Sequence, residues 1–265
     1  MSSLAVVAII ACVISLGCWV ASLITGDTSW VDRIWSIAPV IYLWVFAGFS
    51  HFDARVTVMA VLVTAWGIRL TFNFARRGGY SGTEDYRWAV LRSRMTRWQF
   101  WLFNLLFIVA YQNLLLVLIA LPGYTAQRHP GGFGVLDVVL AVAFLAFLAG
   151  ETVADQQQWE FHAHKAAGET STRFCTTGLF RYSRHPNYFF EQAQWWVIYL
   201  FGAVAAGSIL QPTIVGAILL TLLFVGSTKF TESLTLAKYP EYAEYQHTTS
   251  AQIPLPPKRR RAATA

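Results

Sequence analysis

The sequence predicts an all-α, polytopic membrane protein of about seven transmembrane helices with no Rossmann domain. Three observations carry that prediction. Of the 265 residues, 55% are hydrophobic and only 13% are charged, where soluble domains carry about 25% charged residues. The mean hydropathy is +0.45, and seven windows of about 20 residues are apolar enough to cross a bilayer. No GxGxxG follows a strand-like run and no Walker loop occurs, so any nucleotide has to be held by membrane helices and their loops.

The windows are 4–24, 34–50, 56–74, 99–121, 134–154, 188–206 and 212–231. The first, Leu4 to Ile24, exceeds a typical signal-peptide core and lacks a basic leader, so it reads as a retained span. The second is short and holds Pro39. The fifth runs on as a helix beyond the membrane through "ETVADQQQWEFHAHKAAG". Cys12 and Cys18 lie in an apolar run and Cys175 in a polar loop. Their spacing fits neither a metal site nor a disulfide framework, and they read as two packing residues and one free loop thiol.

Lys and Arg set the orientation. The loop 75–98 holds Arg76, Arg77, Arg87, Arg92, Arg94 and Arg97, and the loop 155–187 holds Lys165, Arg173, Arg181 and Arg184. The tail 258–265 holds Lys258, Arg259, Arg260 and Arg261. The alternate loops hold Arg55, Arg128 and, in "GAVAAGSILQPT", no charge. With seven spans the rich segments share the cytoplasmic side, leaving the N-terminus outside and the C-terminus inside. The net charge of +6 is thus a topology signal rather than a nucleic-acid footprint. Compact loops and no endoplasmic-reticulum retrieval tail point to a bacterial plasma (inner) membrane.

Ionisable groups inside spans are costly and mark functional candidates. Here they are Asp32 and Arg33 in "WVDRIWS", Arg69 and Asn73 in "AWGIRLTFNFARRGGY", Glu151, Asp155, His162 and Lys165 on the fifth helix, Asn187 and Glu191 in "HPNYFFEQAQWW", and Lys229 and Glu232 in "STKFTESL". Glu151, Asp155 and His162 fall on one helical face, and Asn187, Glu191 and Trp195 on another. Pro186 suits a first helical position, which puts Asn187 and Tyr188 in the first turn, where unpaired N–H groups and the helix dipole favour an anion. Arg181, Arg184 and His185 stand just before it. Together they form a phosphate seat, with Asn187 and Glu191 one turn deeper for the sugar or amide parts of the same ligand. Plainer readings stand beside this one. Arg181 and Arg184 also serve as topology anchors, Asn187 and Glu191 as an interhelical pair, and Asp155 and His162 as a solvated helix extension. His162 and His164 lack a second ligand pair at zinc spacing, so no metal is expected.

The segments "DRIWSIAPV", "WGIRLTFNFARRGGY…EDYRW", "ADQQQWEFHAHK", "GLFRYSRHPNYFFE" and "YPEYAEYQHTTSAQIP" resemble the DUF1295 family, a branch of the steroid 5α-reductase superfamily, over nearly the whole chain. The resemblance implies a single transmembrane reductase domain using NADPH on a double bond conjugated to a carbonyl in a hydrophobic substrate. Residues 1–121 would form the substrate side, 122–257 the cofactor-binding helices and loops, and 258–265 a basic tail. By motif, Asp155, Asn187 and Glu191 match cofactor positions, His162 stands where the steroid enzymes have an arginine, and Arg77 resembles a basic position on the loop capping the cofactor. The steroid enzymes grip the substrate ketone with a Gln-Glu pair and a tyrosine. Asp32 and Arg33 fall at that pair, and Trp66 at the tyrosine.

The implied chemistry sends hydride to the β-carbon while a donor meets the enolate oxygen. Arg33 is the strongest donor there, and Asp32 serves as acid if burial keeps it protonated. A structural ion pair between the two is the plainer reading. A SAM-dependent membrane methyltransferase of the isoprenylcysteine type shares the "RHPxY" segment and an acid on the last helix, here Glu232. The cations Arg76, Arg77, Arg181 and Arg184 favour the three phosphates of NADPH over SAM. A transporter or lipid-binding scaffold is the third reading, and the sequence shows no internal repeat for it. Expected partners are a hydrophobic small molecule and the bilayer, with no nucleic acid and no obligate protein partner.

Overall fold

The computed structural model describes residues 1–82 and 84–258. The tail arginines 259–261 lie outside the described residues. Eleven α-helices are present among those described: α1 (Ser3–Thr25), α2 (Trp30–Ile34), α3 (Ala38–Phe49), α4 (Ala54–Arg76), α5 (Tyr86–Ser93), α6 (Arg97–Phe103), α7 (Gln112–Arg128), α8 (Val135–Ala166), α9 (Pro186–Ala206), α10 (Ile214–Lys238) and α11 (Tyr242–Thr248). A π-helical stretch, Asn104–Tyr111, joins α6 to α7, and a 3-10 turn, Gly178–Arg181, precedes α9. No strand occurs among the described residues, apart from an isolated bridge between Ser183 and Ser250.

Among the described residues six segments are long and apolar enough to cross a membrane: Ser3–Thr25, Trp30–Phe49, Ala54–Arg76, Arg97–Arg128, Val135–Ala166 and Ile214–Lys238. The seventh expected span exists as the 21-residue helix α9 but is not among the six. Glu191, Gln192 and Gln194 interrupt its apolar run. The short second window breaks at residues 35–37, because Pro39 takes the second position of α3 and has no N–H to carry a helix through. At 32 residues, α8 measures about 48 Å against a hydrocarbon core of about 30 Å, so it projects beyond the bilayer as expected.

Contacts divide the chain into two compact units, Met1–Phe144 with Trp195–Leu220, and Leu145–Gln194 with the chain from Thr221. In the first unit α3, α4 and α7 form the core, with Tyr42, Leu43, Phe46, Met59, Trp66 and Leu116 fully buried. Helices α3 and α4 run antiparallel, pinned by Ser36 Oγ with Thr71 Oγ1 at 2.7 Å and Trp44 Nε1 donating to Thr64 Oγ1 at 2.9 Å. Gly67 permits this approach, because a Cβ there would stand 2.6 Å from the Ser36 carbonyl oxygen. By contrast α1 buries few side chains and exposes Val13, Leu16 and Ile24, as a lipid-facing helix should.

A buried ion pair ties the start of α4 to the start of α8. Arg55 donates to Asp137 through Nε at 2.6 Å and Nη2 at 2.9 Å, and Nη2 also reaches the Gly132 carbonyl at 3.0 Å. The side chains are 8% and 1% exposed. Removing one partner strands the other charge. Asp137→Ala is therefore expected to cost about 3–5 kcal/mol of stability. Thermal unfolding of the detergent-solubilised protein reads it, and an unchanged midpoint would dismiss the pair as a stabilising contact.

The second unit packs Ala154, Cys175 and Phe180 with Phe161 and Leu179. Cys175 belongs to this core rather than to an open loop, and its thiol is pushed above the usual range by burial. The exposed thiol is Cys12, on α1.

Candidate functional site

In the second unit the polar residues of α8 and α9 meet. Asn187 Nδ2 donates to Asp155 Oδ1 at 3.4 Å, and Gln194 Nε2 donates to Glu151 Oε2 at 2.6 Å. Asp155 is 4% and Glu191 7% exposed. Pro186 opens α9, so Asn187 stands in its first turn and Glu191 one turn deeper on the same face. His162 stands two turns beyond Asp155 on the same helix. It lies exposed about 10 Å further along α8, edge-on to Phe161 at 5.5 Å.

The basic collar before α9 divides in two. Arg181 ends the 3-10 turn and is exposed. Arg184 turns inward and spends every guanidinium nitrogen inside the unit. Nε and Nη2 donate to the Glu232 carboxylate at 2.6 and 2.9 Å, and Nη1 donates to the carbonyls of Gln246, at 3.0 Å, and Thr249. Glu232 also meets His185 Nε2 at 3.0 Å, Gln246 Nε2 at 2.9 Å and the Tyr242 hydroxyl at 3.3 Å. Burial opposes the charge of Arg184, but the Glu232 carboxylate outweighs it and holds the guanidinium above its ordinary range. Burial also pushes the Tyr242 and Tyr245 phenols up, with the Glu232 anion adding to the shift of Tyr242. Tyr188 stacks on His185 with centroids 5.2 Å apart and meets Phe224, tilted, at 4.8 Å.

The C-terminal segment straps this collar. Arg184 N donates to Ser250 O at 2.8 Å, His185 N to Ala251 O at 3.0 Å, Ser183 Oγ to Gln252 O at 2.6 Å and Leu255 N to Tyr182 O at 2.9 Å. The residues leading into α9 are thus held by α10 on one side and by the strap on the other. The resemblance placed both elements within the cofactor-binding half of the chain, but not these contacts. "TTSAQIP" has no periodicity, and Glu232 stood out as an acid within a span and as the acid of the methyltransferase reading, not as the partner of Arg184.

In the first unit Asp32 and Arg33 are not an ion pair. Asp32 Oδ2 accepts from Trp88 Nε1 at 3.0 Å. Arg33 pairs with Asp27 at 2.5 Å, donates to the Gly79 carbonyl at 3.1 Å and lies over the Trp30 ring at 4.7 Å. Both belong to a latch between residues 27–33 and 79–92. There Glu84 Oε1 accepts from Thr28 N, Thr28 Oγ1 and Arg92 Nη2 at 2.9, 2.7 and 2.7 Å. Trp66 is fully buried and meets Trp195 edge to face at 4.9 Å. Neither indole N–H has a partner among the described residues. Arg76 Nε donates to Asn73 Oδ1 at 2.9 Å and its guanidinium lies 5.5 Å from the Phe72 ring, while Arg77 caps α4 and is exposed.

The Glu232 cluster makes a sharp stability prediction. Glu232→Ala leaves the Arg184 charge buried without its counter-ion and is expected to cost about 3–5 kcal/mol. The joint change Arg184→Met with Glu232→Leu should cost less, because both charges leave together. Thermal melts of the three proteins in one detergent compare them, and equal midpoints for the single and double variants would refute the pairing energy.

Comparison with known proteins assigns a family and no activity. A Schizosaccharomyces pombe protein, named only as uncharacterized, is 39% identical over 250 residues, covering 86% of this chain and 73% of that protein. No solved structure matches. Residues 18–249 match the family described as "Protein of unknown function (DUF1295)", and the chain belongs to that family.

Proposed function

We propose that the chain is a membrane-embedded, NADPH-dependent reductase of a carbon–carbon double bond conjugated to a carbonyl, acting on a hydrophobic steroid-like or isoprenoid substrate. The observation that supports it most is the Asp155–Asn187 pair at the opening of α9, with Glu191 buried one turn deeper. Two carboxylates and an amide match the hydroxyl and carboxamide groups of a dinucleotide, which need acceptors and one mixed partner. The exposed Arg181, six residues before Asn187, suits its phosphates. The residues present therefore fit the group. Asp155, Asn187 and Glu191 would hold its sugar and amide parts, and Arg181 a phosphate. Arg184 and His185 set the backbone of the seat from within.

NADPH, when bound, supplies the hydride that goes to the β-carbon of the substrate. The carbonyl oxygen then gains negative charge, and a donor fixed there lowers the barrier. Arg33 is proposed for that role and Asp32 for delivery of the proton that completes the reduction at the α-carbon. Trp66 brings a buried indole N–H as a further donor. With α9 counted as a crossing helix, the arginine-rich segments lie on the cytoplasmic side, with the N-terminus outside.

A second reading, a SAM-dependent methyltransferase, draws on the bonding of Arg184 in "RHPNY" to Glu232 on α10, since both residues serve that reading. Titration of the detergent-purified chain with NADPH, NADH and SAM separates the two. The reductase reading expects NADPH binding that weakens about tenfold or more in Glu191→Ala, the worth of one charge-assisted hydrogen bond. SAM binding without NADPH binding would sink it. Asp32→Asn is expected to lower turnover of a reducible enone lipid about 100-fold, the usual worth of a positioned acid. Unchanged turnover would remove Asp32 from the chemistry.

A further inference from the structure

A second group of cations in the second unit is used by nothing above. Lys165, Arg173 and Lys238 come from the last turn of α8, the loop after it and the last residue of α10. All three gather on one ring. The Lys165 ammonium, the Arg173 guanidinium and the Lys238 ammonium lie 5.3, 5.9 and 5.2 Å from the centroid of Tyr239. Lys165 Nζ also donates to the Arg173 carbonyl at 2.7 Å, which fixes the loop against the helix end. No carboxylate pairs with any of the three among the described residues. The nearby acid Glu169 is bonded to His164, and Glu160 to Gln156.

Cations at helix C-termini answer the helix dipole. That accounts for Lys165 and Lys238 but not for Arg173, which sits in a loop. Three like charges drawn together from separate segments raise the local potential unless an anion joins them. The phenol of Tyr239 registers that potential, since Lys238 and then Lys165 hold it below its ordinary range.

We propose that Lys165, Arg173, Lys238 and the Tyr239 hydroxyl form a seat for a phosphate monoester on a soluble ligand. Depth decides between a soluble ligand and a lipid headgroup. The 32 residues of α8 extend about 18 Å past a core of about 30 Å, which takes Lys165 beyond the headgroup layer. Lys165 is also ten residues from Asp155 on the same helix, a span of about 15 Å that an extended dinucleotide covers. Resting on the reductase reading, the phosphate is the one on the adenosine ribose of NADPH, and the seat selects NADPH over NADH.

The test uses the full chain in detergent and titrates NADPH, NADH and inorganic pyrophosphate against wild type and the triple variant Lys165→Gln, Arg173→Gln, Lys238→Gln. The seat predicts that the variant loses about tenfold or more in NADPH affinity while NADH affinity stays level. Arg173→Gln alone, an exposed loop change, should show a smaller loss in the same direction if the triple variant fails to fold. Equal weakening of both dinucleotides, or no weakening, overturns the seat and leaves the reductase reading intact. If wild type binds neither dinucleotide but binds pyrophosphate, and the variant does not, the seat stands and the reductase reading falls. Binding to phosphatidylglycerol vesicles, lost in the variant with no response to any soluble phosphate, also overturns the proposal.

Discussion

The buried carboxylate of Glu232 is the constraint on which the second unit depends. An isolated charge at 6% exposure would be prohibitive in a protein interior. Here it meets Arg184, His185, Gln246 and Tyr242 at once. Those partners come from two other stretches of chain, Arg184 and His185 before α9 and Tyr242 and Gln246 on α11, so satisfying one anion brings together α10, α11 and the approach to α9. The strap then completes the arrangement through backbone bonds that are indifferent to side-chain identity. The position of Asn187 and Glu191 follows from this: the residues before α9 have no freedom left.

The first unit solves the same problem with more, smaller devices. Arg55 and Asp137 neutralise each other at one end of α4, and at the other end the latch between 27–33 and 79–92 pairs nearly every polar side chain it contains. Between them the helices touch through small residues and hydroxyls, as expected where the surrounding solvent is hydrocarbon and apolar burial alone gives no driving force. The indole N–H groups of Trp66 and Trp195 have no hydrogen-bond partner among the described residues, and the buried hydroxyls of Tyr42 and Thr57 share that condition in the same unit.

The helices were legible because a bilayer imposes length and apolarity on every crossing segment. The windows at 4–24, 56–74 and 212–231 reappear as α1, α4 and α10, each longer by a few residues. The π-helical stretch Asn104–Tyr111 was not legible. Its composition is that of any apolar helix, and the stacked ladder Phe103–Phe107–Tyr111 needs the three-dimensional register to be seen. Among candidate residues, the i, i+4 spacing placed Asn187 and Glu191 on one face of α9, and motif placed Asp155 opposite. The same one-dimensional logic joined Asp32 to Arg33 because they are adjacent, whereas adjacent helical residues point apart, and Asp27 and Trp88 took them instead. Arg181 and Arg184 look alike as a sequence, and only the location of Glu232, 48 residues on from Arg184, tells the exposed one from the clamp.

The length of α8 has a consequence for how its charges behave. One rigid rod carries polar groups from the hydrocarbon boundary out into bulk electrolyte. Glu151, bonded to the neutral amide of Gln194 and 2% exposed, is shielded from dissolved ions. Lys165, about 20 Å further on, stands where screening reaches within about 8 Å at physiological ionic strength. The same helix therefore holds an electrostatic site that ignores ionic strength and another that is tuned by it. Anything bound along its length would be anchored at one end independently of the medium and gripped at the other according to the salt around the cell's membrane.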